Sequence, residues 1–437
     1  MKSIKFLFFI LFIVAIIPPL ILILINNPLP SPGSDAVDYN RIAINLLEGN
    51  GFHCDFTIED VVKFPNIRHP LYPIFIAIIY SFTNCSFTAV KIAQVLLHGL
   101  TCIVIFLIAG KIFKDRFISF GAGLIWALYP LSISSSVTLL SETFLTFLLV
   151  LSVWFILRYA ENPDLKNSFF AGLFLGLTAL AKSILLVFPP ALFLWFVLFF
   201  KDKFKMKLKR FLIVMLFMLV TISPWLIRNY FALGRPFPIA TGSGLSFYRY
   251  NNEKTLDVVY SPLREAFPFT EKQKKEMSAL SETQLDKYLY KLGWQFIKTH
   301  PKDFIRIRLT ELCFFWRLWP VSPERFVKYY SHDFSHISPI EHFKSSYLLY
   351  FCKILYHMPY DILFLGMFVT FVVSFKKDKE EWKKALLLFL LIATINAVYI
   401  FHHGTDRYRM PIDPYVFILG LNGAVYIAKN IVWKIKR

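Results

Sequence analysis

Charge is scarce in this chain. Asp, Glu, Lys and Arg make up 18% of its 437 residues, where a soluble globular protein carries about 25%. With 56% hydrophobic residues, 18% aromatic residues and a mean hydropathy of +0.53, that shortage excludes a soluble enzyme and a disordered chain. Cysteine is also sparse. The five residues, at 54, 85, 102, 313 and 352, form no CxxC and no metal spacing, which excludes a disulfide-stapled module and gives no sign of a zinc site. No Gly/Ser-rich or Pro-rich linker separates independent domains, and no repeat recurs at a fixed period. Acidic residues number 29 against 48 basic ones, a net charge of +19. The excess falls in short clusters between apolar runs. A nucleic-acid partner would ask for one patch; this distribution marks a polytopic membrane protein.

What the chain has in abundance is apolar sequence. A spanning helix needs ~20 mostly apolar residues, and about ten runs approach that, near 6–25, 88–110, 117–131, 137–157, 168–182, 184–200, 211–228, 359–375, 385–401 and 411–428. The first is too long for a signal-peptide core and has no small-x-small cleavage site, so it reads as an uncleaved anchor. Lys2/Lys5, Lys111/Lys114/Arg116, Arg158/Lys166, Lys201 to Arg210, Lys376 to Lys384 and Lys429 to Arg437 all fall on the cytoplasmic side if the N-terminus does. Leu71 to Phe82 is apolar but short. As a span it would reverse every later helix, so it is predicted to be re-entrant or interfacial.

The expectation is an all-α, multi-pass protein of the inner (plasma) membrane, with both termini cytoplasmic. It divides into an N-terminal transmembrane module (1–228) containing a first outer loop (27–87), a second outer loop (229–345), and C-terminal transmembrane helices (346–437). An amphipathic helix from about Glu282 to Trp319, rich in rings and basic residues, suits the bilayer interface. Cys54 and Cys85 share the outer side, where an oxidising compartment would let them pair.

The polar residues that stand out lie at predicted outer positions. Ser34-Asp35-Ala36-Val37-Asp38-Tyr39-Asn40-Arg41 opens a predicted helix that the glycines at 49 and 51 end. Asp35 and Tyr39 share a face, as do Asp35 and Asp38. Two carboxylates there could supply a general base; the simpler reading from these residues alone is Asp35 as an N-cap with Asp38 at N3, and a helix N-terminus lowers a carboxylate pKa in either case. Glu142 lies near the outer end of its span, Lys182 in a tight hairpin between two runs, and Arg228 after Pro224-Trp225. Ionisable groups at such depth point to function, with one another as partners; for Lys182, snorkelling is the simpler reading. Arg407 and Arg409 fall outside, against the positive-inside rule, and suit an anionic ligand such as a lipid phosphate. The neighbouring His402-His403 pair is a weak metal signal, and no metal or other cofactor is expected.

These elements, taken in order, resemble the membrane glycosyltransferases of the GT-C superfamily, in particular the bacterial branch related to protein O-mannosyltransferases and to the lipid A aminoarabinose transferase. The resemblance rests on Asp35, Tyr39, Ala43, Leu46 or Leu47, Gly49, Gly51 and Phe52; on Arg68-His69-Pro70-Leu71-Tyr72-Pro73; on Ser141-Glu142; on Gly176 to Lys182; on Pro224 to Asn229; and on Arg407 to Pro411. It runs over about residues 1–430 and is weakest in the second outer loop. It implies a GT-C fold of about ten transmembrane helices plus outer-face juxtamembrane helices, a polyprenyl-phosphate-linked sugar as donor, and inversion at the anomeric carbon. The acceptor is then a hydroxyl of a lipid, glycan or protein at the outer face. Asp35 matches the family's base, with Asp38 second. Lys182, Arg228, Arg407 and Arg409, with Arg68 behind them, are the cations for the leaving phosphate. Tyr39, Glu142, Tyr72 and Tyr408 are the substrate contacts. Many relatives have Arg-Pro where this chain has Lys182-Ser183. The competing readings are a lipid or sugar transporter or flippase, which would show repeats and mid-membrane polar sites, and a polysaccharide polymerase or ligase, which would not place Asp-x-x-x-Tyr directly after the first span.

Overall fold

The structure, a computed structural model, describes residues 2–25, 27, 34–58, 62–234, 239–255, 269–316, 358–376, 378–402 and 404–435. Trp319, the rest of the second outer loop from 317 to 345, Cys352 and His403 lie outside the described residues. Seven helices are long and apolar enough to cross a membrane: Ile4–Ile25, Phe87–Phe113, Glu142–Glu161, Phe204–Leu233, Met358–Lys376, Lys379–Phe401 and Asp406–Ile431. The count among the described residues reaches eight if the bent pair Arg116–Leu128 and Pro130–Ser136, which turns by 56° where Pro130 opens the second helix, is taken as one broken span instead of a re-entrant loop. The predicted runs 168–182 and 184–200 are shorter as helices: 17 residues (Leu165–Ala181) and 11 residues (Pro189–Phe199). Leu71–Thr83 is a 13-residue helix, too short to span unaided.

The chain divides into two compact units. One comprises Met1–Gly242, Gly366–Val398 and Met410–Arg437; the other comprises Ser243–Leu365 and Tyr399–Arg409. In the first, helix α1 (Lys2–Ile25) precedes α2 (Asp35–Leu47). The two-residue strands β1 (Thr57–Ile58) and β2 (Val62–Lys63) pair antiparallel, Thr57 opposite Lys63, a small departure from an all-α chain. Then come α3 (Leu71–Thr83), α4 (Phe87–Phe113), α5 (Arg116–Leu128), α6 (Pro130–Ser136), α7 (Glu142–Glu161), α8 (Leu165–Ala181), α9 (Pro189–Phe199) and α10 (Phe204–Leu233). α1 packs on α4 and α5, α4 on α7, α7 on α8, α8 on α10, and α2 on α3.

Small residues set the closest of these approaches. Gly172 and Gly176 fall one turn apart on α8, and an added Cβ at Gly176 would lie 2.6 Å from Thr221 Cβ and 3.0 Å from the Met218 carbonyl of α10. Van der Waals packing of this kind replaces the hydrophobic effect where the solvent is lipid. The other face of α10, with Leu212, Leu216, Leu219 and Val220, is exposed, as a lipid-facing surface would be.

In the second unit, Ser243–Arg249 packs against the helix Glu282–Thr299. The amphipathic helix expected over 282–319 is two helices, Glu282–Thr299 and Pro301–Trp316. Pro301 ends the first because its ring and missing N–H cannot continue a helix, and it opens the second, where neither matters. Cys54 and Cys85 are not joined in a disulfide. Cys54 is buried, with Sγ 3.5 Å from the Pro65 carbonyl, while Cys85 is exposed in the turn before α4.

Candidate active site

The site is assembled around α2. Ala36, Tyr39, Ile42 and Ala43 form its buried stripe, at the three-to-four spacing of an amphipathic helix. Ser34 stands at the N-cap, so Asp35 is the first helical residue and Asp38 the fourth. The reading of Asp35 as the cap is thereby replaced. Gly49 and Gly51, at φ of +79° and +86°, end the helix in the left-handed region that side chains other than glycine avoid. Tyr80 of α3 donates to Asn40 Oδ1 (2.8 Å), and Tyr39 meets Tyr72 edge to face, with ring centroids 4.9 Å apart.

Both carboxylates meet Arg68. Its Nε and Nη2 donate to Asp38 Oδ2 at 2.9 and 2.5 Å, and Nη2 lies 2.7 Å from Asp35 Oδ1. The guanidinium also stands 5.6 Å from the Tyr39 ring centre and 5.7 Å from that of Phe56, within cation–π range. Arg68 was expected among the phosphate ligands; in the structure it is the partner of the carboxylates. Its pKa is raised. Burial opposes the charge, but Asp35, Tyr39 and Asp38 together outweigh it. Asp38 is shifted up, chiefly by burial, against the pull of Arg68. The helix terminus was expected to lower it, and desolvation of a largely enclosed carboxylate wins instead.

The next residue points the other way. Arg68 lies in a bend of the chain, and Pro70 disfavours helical backbone at His69. His69 Nε2 shares a hydrogen bond of 2.9 Å with Ser183 Oγ, while Lys182, the residue before Ser183, closes α8 in an extended conformation. Lys182 Nζ is 3.9 Å from Glu142 Oε1, and the Glu142 side chain is 1% exposed. Burial, then Lys182 and Arg68, pull the His69 pKa down to about 3, so the imidazole is neutral between two cations. Tyr39 OH donates to Ser141 Oγ at 3.4 Å, joining α2 to the residue before Glu142. Tyr72 OH donates to Gln94 Oε1 (2.5 Å), and Gln94 Nε2 donates to the carbonyls of Ser136 and Thr138. The connection leading to Ser141 and Glu142 is thus tied to α3 and α4.

Asp35, Asp38, Tyr39, Arg68, Tyr72, Glu142 and Lys182 therefore form one connected group. His69, Ser183 and Gln94 belong to it and escaped the sequence reading. His69 sat inside a motif and was read as a spacer, and Gln94 is a lone amide in an apolar run. Arg228 is placed differently. Its Nη1 donates to Asn66 Oδ1 (3.0 Å) and its Nη2 to the Phe52 carbonyl (3.1 Å), and it lies over Phe52 and Trp225. It braces the loop that presents Arg68. Arg407, Tyr408 and Arg409 belong to the second unit. Arg409 is fully buried there, donating to the Phe315 carbonyl (2.9 Å) over the Tyr360 ring, while Tyr408 stacks on Tyr399 at 5.0 Å and Arg407 leans over Tyr408. Among the described residues, no three His, Cys, Asp or Glu side chains group as metal ligands.

Residues 66–227, less than half of the chain, match the family described as dolichyl-phosphate-mannose-protein mannosyltransferase. The match takes in Arg68, His69, Glu142 and Lys182 and leaves out α2. The archaeal oligosaccharyltransferase AglB from Archaeoglobus fulgidus, solved with an inhibitory peptide and a dolichol-phosphate, superposes over 99% of this chain and 51% of its own, at 13% identity and a TM-score of 0.53. The chain has the GT-C fold. It spans about half the length of AglB. ArnT from Cupriavidus metallidurans, bound to undecaprenyl phosphate, aligns over 97% of this chain and 77% of its own, at 12% identity and a TM-score of 0.40. No protein of curated function matches the chain in sequence. On the GT-C fold, α2 is the helix that follows the first membrane helix, and the group around Arg68 is built on it and on the start of the matched segment.

Proposed function

We propose that this protein is an inverting glycosyltransferase that moves a sugar from a polyprenyl-phosphate donor to an acceptor hydroxyl at the outer face of the membrane. The observation that carries this reading is the pairing of two half-buried carboxylates with one guanidinium, linked through His69 and its hydrogen bond to Ser183 with a lysine beside a buried glutamate. The reaction needs a base for the acceptor proton and fixed positive charge for the departing phosphate. An ionised carboxylate offers about four acceptor directions, so bonding to Arg68 and taking a proton from a hydroxyl are compatible. Asp35 is the base in this reading, with Asp38 holding Arg68 and taking second place.

As the acceptor oxygen attacks the anomeric carbon, its proton passes to the carboxylate and the bond to the phosphate oxygen breaks. Lys182 faces the negative charge that develops there. Glu142 keeps Lys182 in place, and Tyr39 and Tyr72 wall the sugar side. The similarity of residues 66–227 to a mannosyltransferase family and the GT-C fold support a lipid-linked donor. The acceptor class, whether lipid, glycan or protein, is left open by this reading.

Mass spectrometry of envelope glycolipids, glycoproteins and polyprenyl-phosphate sugars tests it, in cells making wild-type protein or Asp35→Asn at equal membrane abundance. One glycan losing a sugar while its lipid-linked donor accumulates is the expected result, with transfer down by ~10²–10⁴-fold. An Asp35→Asn protein that matches wild type, in a background where deletion does not, moves the base to Asp38 or removes the catalytic reading.

A further inference from the structure

We infer that His69 is a positioning residue which, through Ser183, sets the register between the carboxylate pair on α2 and the Lys182 turn at the end of α8. This deepens the transferase reading and rests on it. Arg68 and His69 are consecutive, yet their side chains engage different elements: Arg68 meets Asp35 and Asp38, and His69 meets Ser183 at 2.9 Å. The proton-accepting end of the site and its phosphate-facing cation are therefore linked by the Arg68–His69 peptide and the His69–Ser183 hydrogen bond, beside the route through Tyr39, Ser141 and Glu142.

The surroundings suit an uncharged imidazole in that role. Lys182 and Arg68 both act on it as cations, and it is substantially desolvated. A protonated ring would add a third positive charge between them, whereas a neutral one supplies a single directional hydrogen bond and no field of its own. Ser183 opens the short 3-10 turn that follows α8. A bond to its hydroxyl thus holds the turn, and the extended Lys182 before it, against the first outer loop. Nothing else in that turn is needed to explain why a serine rather than an apolar residue begins it.

The test is a double-mutant cycle on the full-length protein in nanodiscs, with a polyprenyl-phosphate sugar as donor. His69→Ala and Ser183→Ala are each expected to lower kcat by about a hundredfold, the scale of a small misplacement of reacting groups, with little change in donor KM. The double variant should lose no more than either single one. His69→Gln, which keeps a hydrogen-bonding group without a titrating ring, should recover most of kcat with the pH profile of the wild type. Additive losses, or a His69→Gln protein as poor as His69→Ala, would overturn the proposal. Thermal unfolding of the same four proteins separates the two readings. Non-additive unfolding without transfer by the wild type leaves the contact intact and removes the transferase function; transfer by the wild type with additive losses removes the role of His69 alone.

Discussion

Among the described residues, two of the regions that bury charge do it in different ways. Around α2 the charged side chains face one another: Arg68 with Asp35 and Asp38, and Lys182 with Glu142. Along the helix Pro301–Trp316 their hydrogen bonds run to backbone, while Glu311 also acts on Arg308 by charge. Arg308 donates to the carbonyls of Ile400 and Tyr250 at 2.5 and 2.6 Å, and Glu311, fully buried, accepts from the Gly404 N–H at 2.6 Å. The Phe315 carbonyl of the same helix receives Arg409. These positions recur down one face of the helix and fasten the segment 399–409 along its length. A charge bonded to a carbonyl has a partner that can neither move a proton nor change its own charge, so it serves as a fastening. A charge bonded to another ionisable side chain sits in a balance that a substrate can tip. The difference separates scaffold from chemistry where burial alone does not.

The sharpest way to break this comparison is to remove one arginine from each region. Arg68→Leu should lower transfer by about 10²–10³-fold, the cost of losing a fixed electrostatic group at a reacting centre, with a modest change in melting temperature. Arg308→Met should do the reverse. It strips two backbone carbonyls of a charged donor, costing ~2–3 kcal/mol of stability, while protein that remains folded keeps its turnover. Differential scanning fluorimetry and a donor-turnover assay on both variants decide the matter. A crossed result, with Arg308 lowering turnover in folded protein and Arg68 lowering only stability, would end the distinction.

A smaller effect is expected at Lys182. Lys182→Met should reduce transfer by roughly tenfold or more, and Lys182→Arg should restore much of it, because a guanidinium also meets phosphate oxygens. Equal loss in both would mean that the residue acts by its shape in the turn. The smallest effects are those of pH. Asp38 has a raised pKa, so its ionised form is lost on acidification sooner than for an ordinary carboxylate. If it takes part in proton transfer, the acid limb of kcat/KM lies above ~4 and shifts in Asp38→Asn. In stability the signs differ. The contribution of Asp38 is present at low pH and fades as pH rises through its raised value. That of His69, whose pKa lies at about 3, is present above ~6.5 and is lost as pH falls toward 3. Acid unfolding of His69→Gln should lack the second component.

Much of this arrangement was legible in the sequence, and the reason is local. A helix beginning at Asp35 and ended by glycines follows from spacing and φ preferences, and the short apolar run at 71–82 follows from its length. The order of the motifs placed Glu142 and Lys182 at helix ends. The sequence did not reveal which cation would meet which anion, because that depends on contacts across more than a hundred residues, such as Tyr39 with Ser141 or Arg228 with Asn66. The sequence also did not show where Arg228 and Arg409 would find acceptors, because outer-side cations near membranes look alike in sequence. Arg228 meets Asn66, Asn229 and the Phe52 carbonyl, and Arg409 meets the Phe315 carbonyl. The break at Pro301 was readable and was overridden by the amphipathic pattern on both sides of it.

The glycines of α8 have a bearing on Lys182 as well. Gly176 lies six residues before the lysine, about 9 Å along a helix, so the contact with α10 acts as the fulcrum of a short lever whose tip carries the cation. Any side chain at Gly176 must push the two helices apart, and a tilt there swings the tip by a comparable amount. The aim of the charge is thus adjustable from inside the lipid-packed bundle by substitutions that touch no residue of the polar group. Inherited or engineered changes in donor preference can enter by that route while every residue of the polar group stays the same.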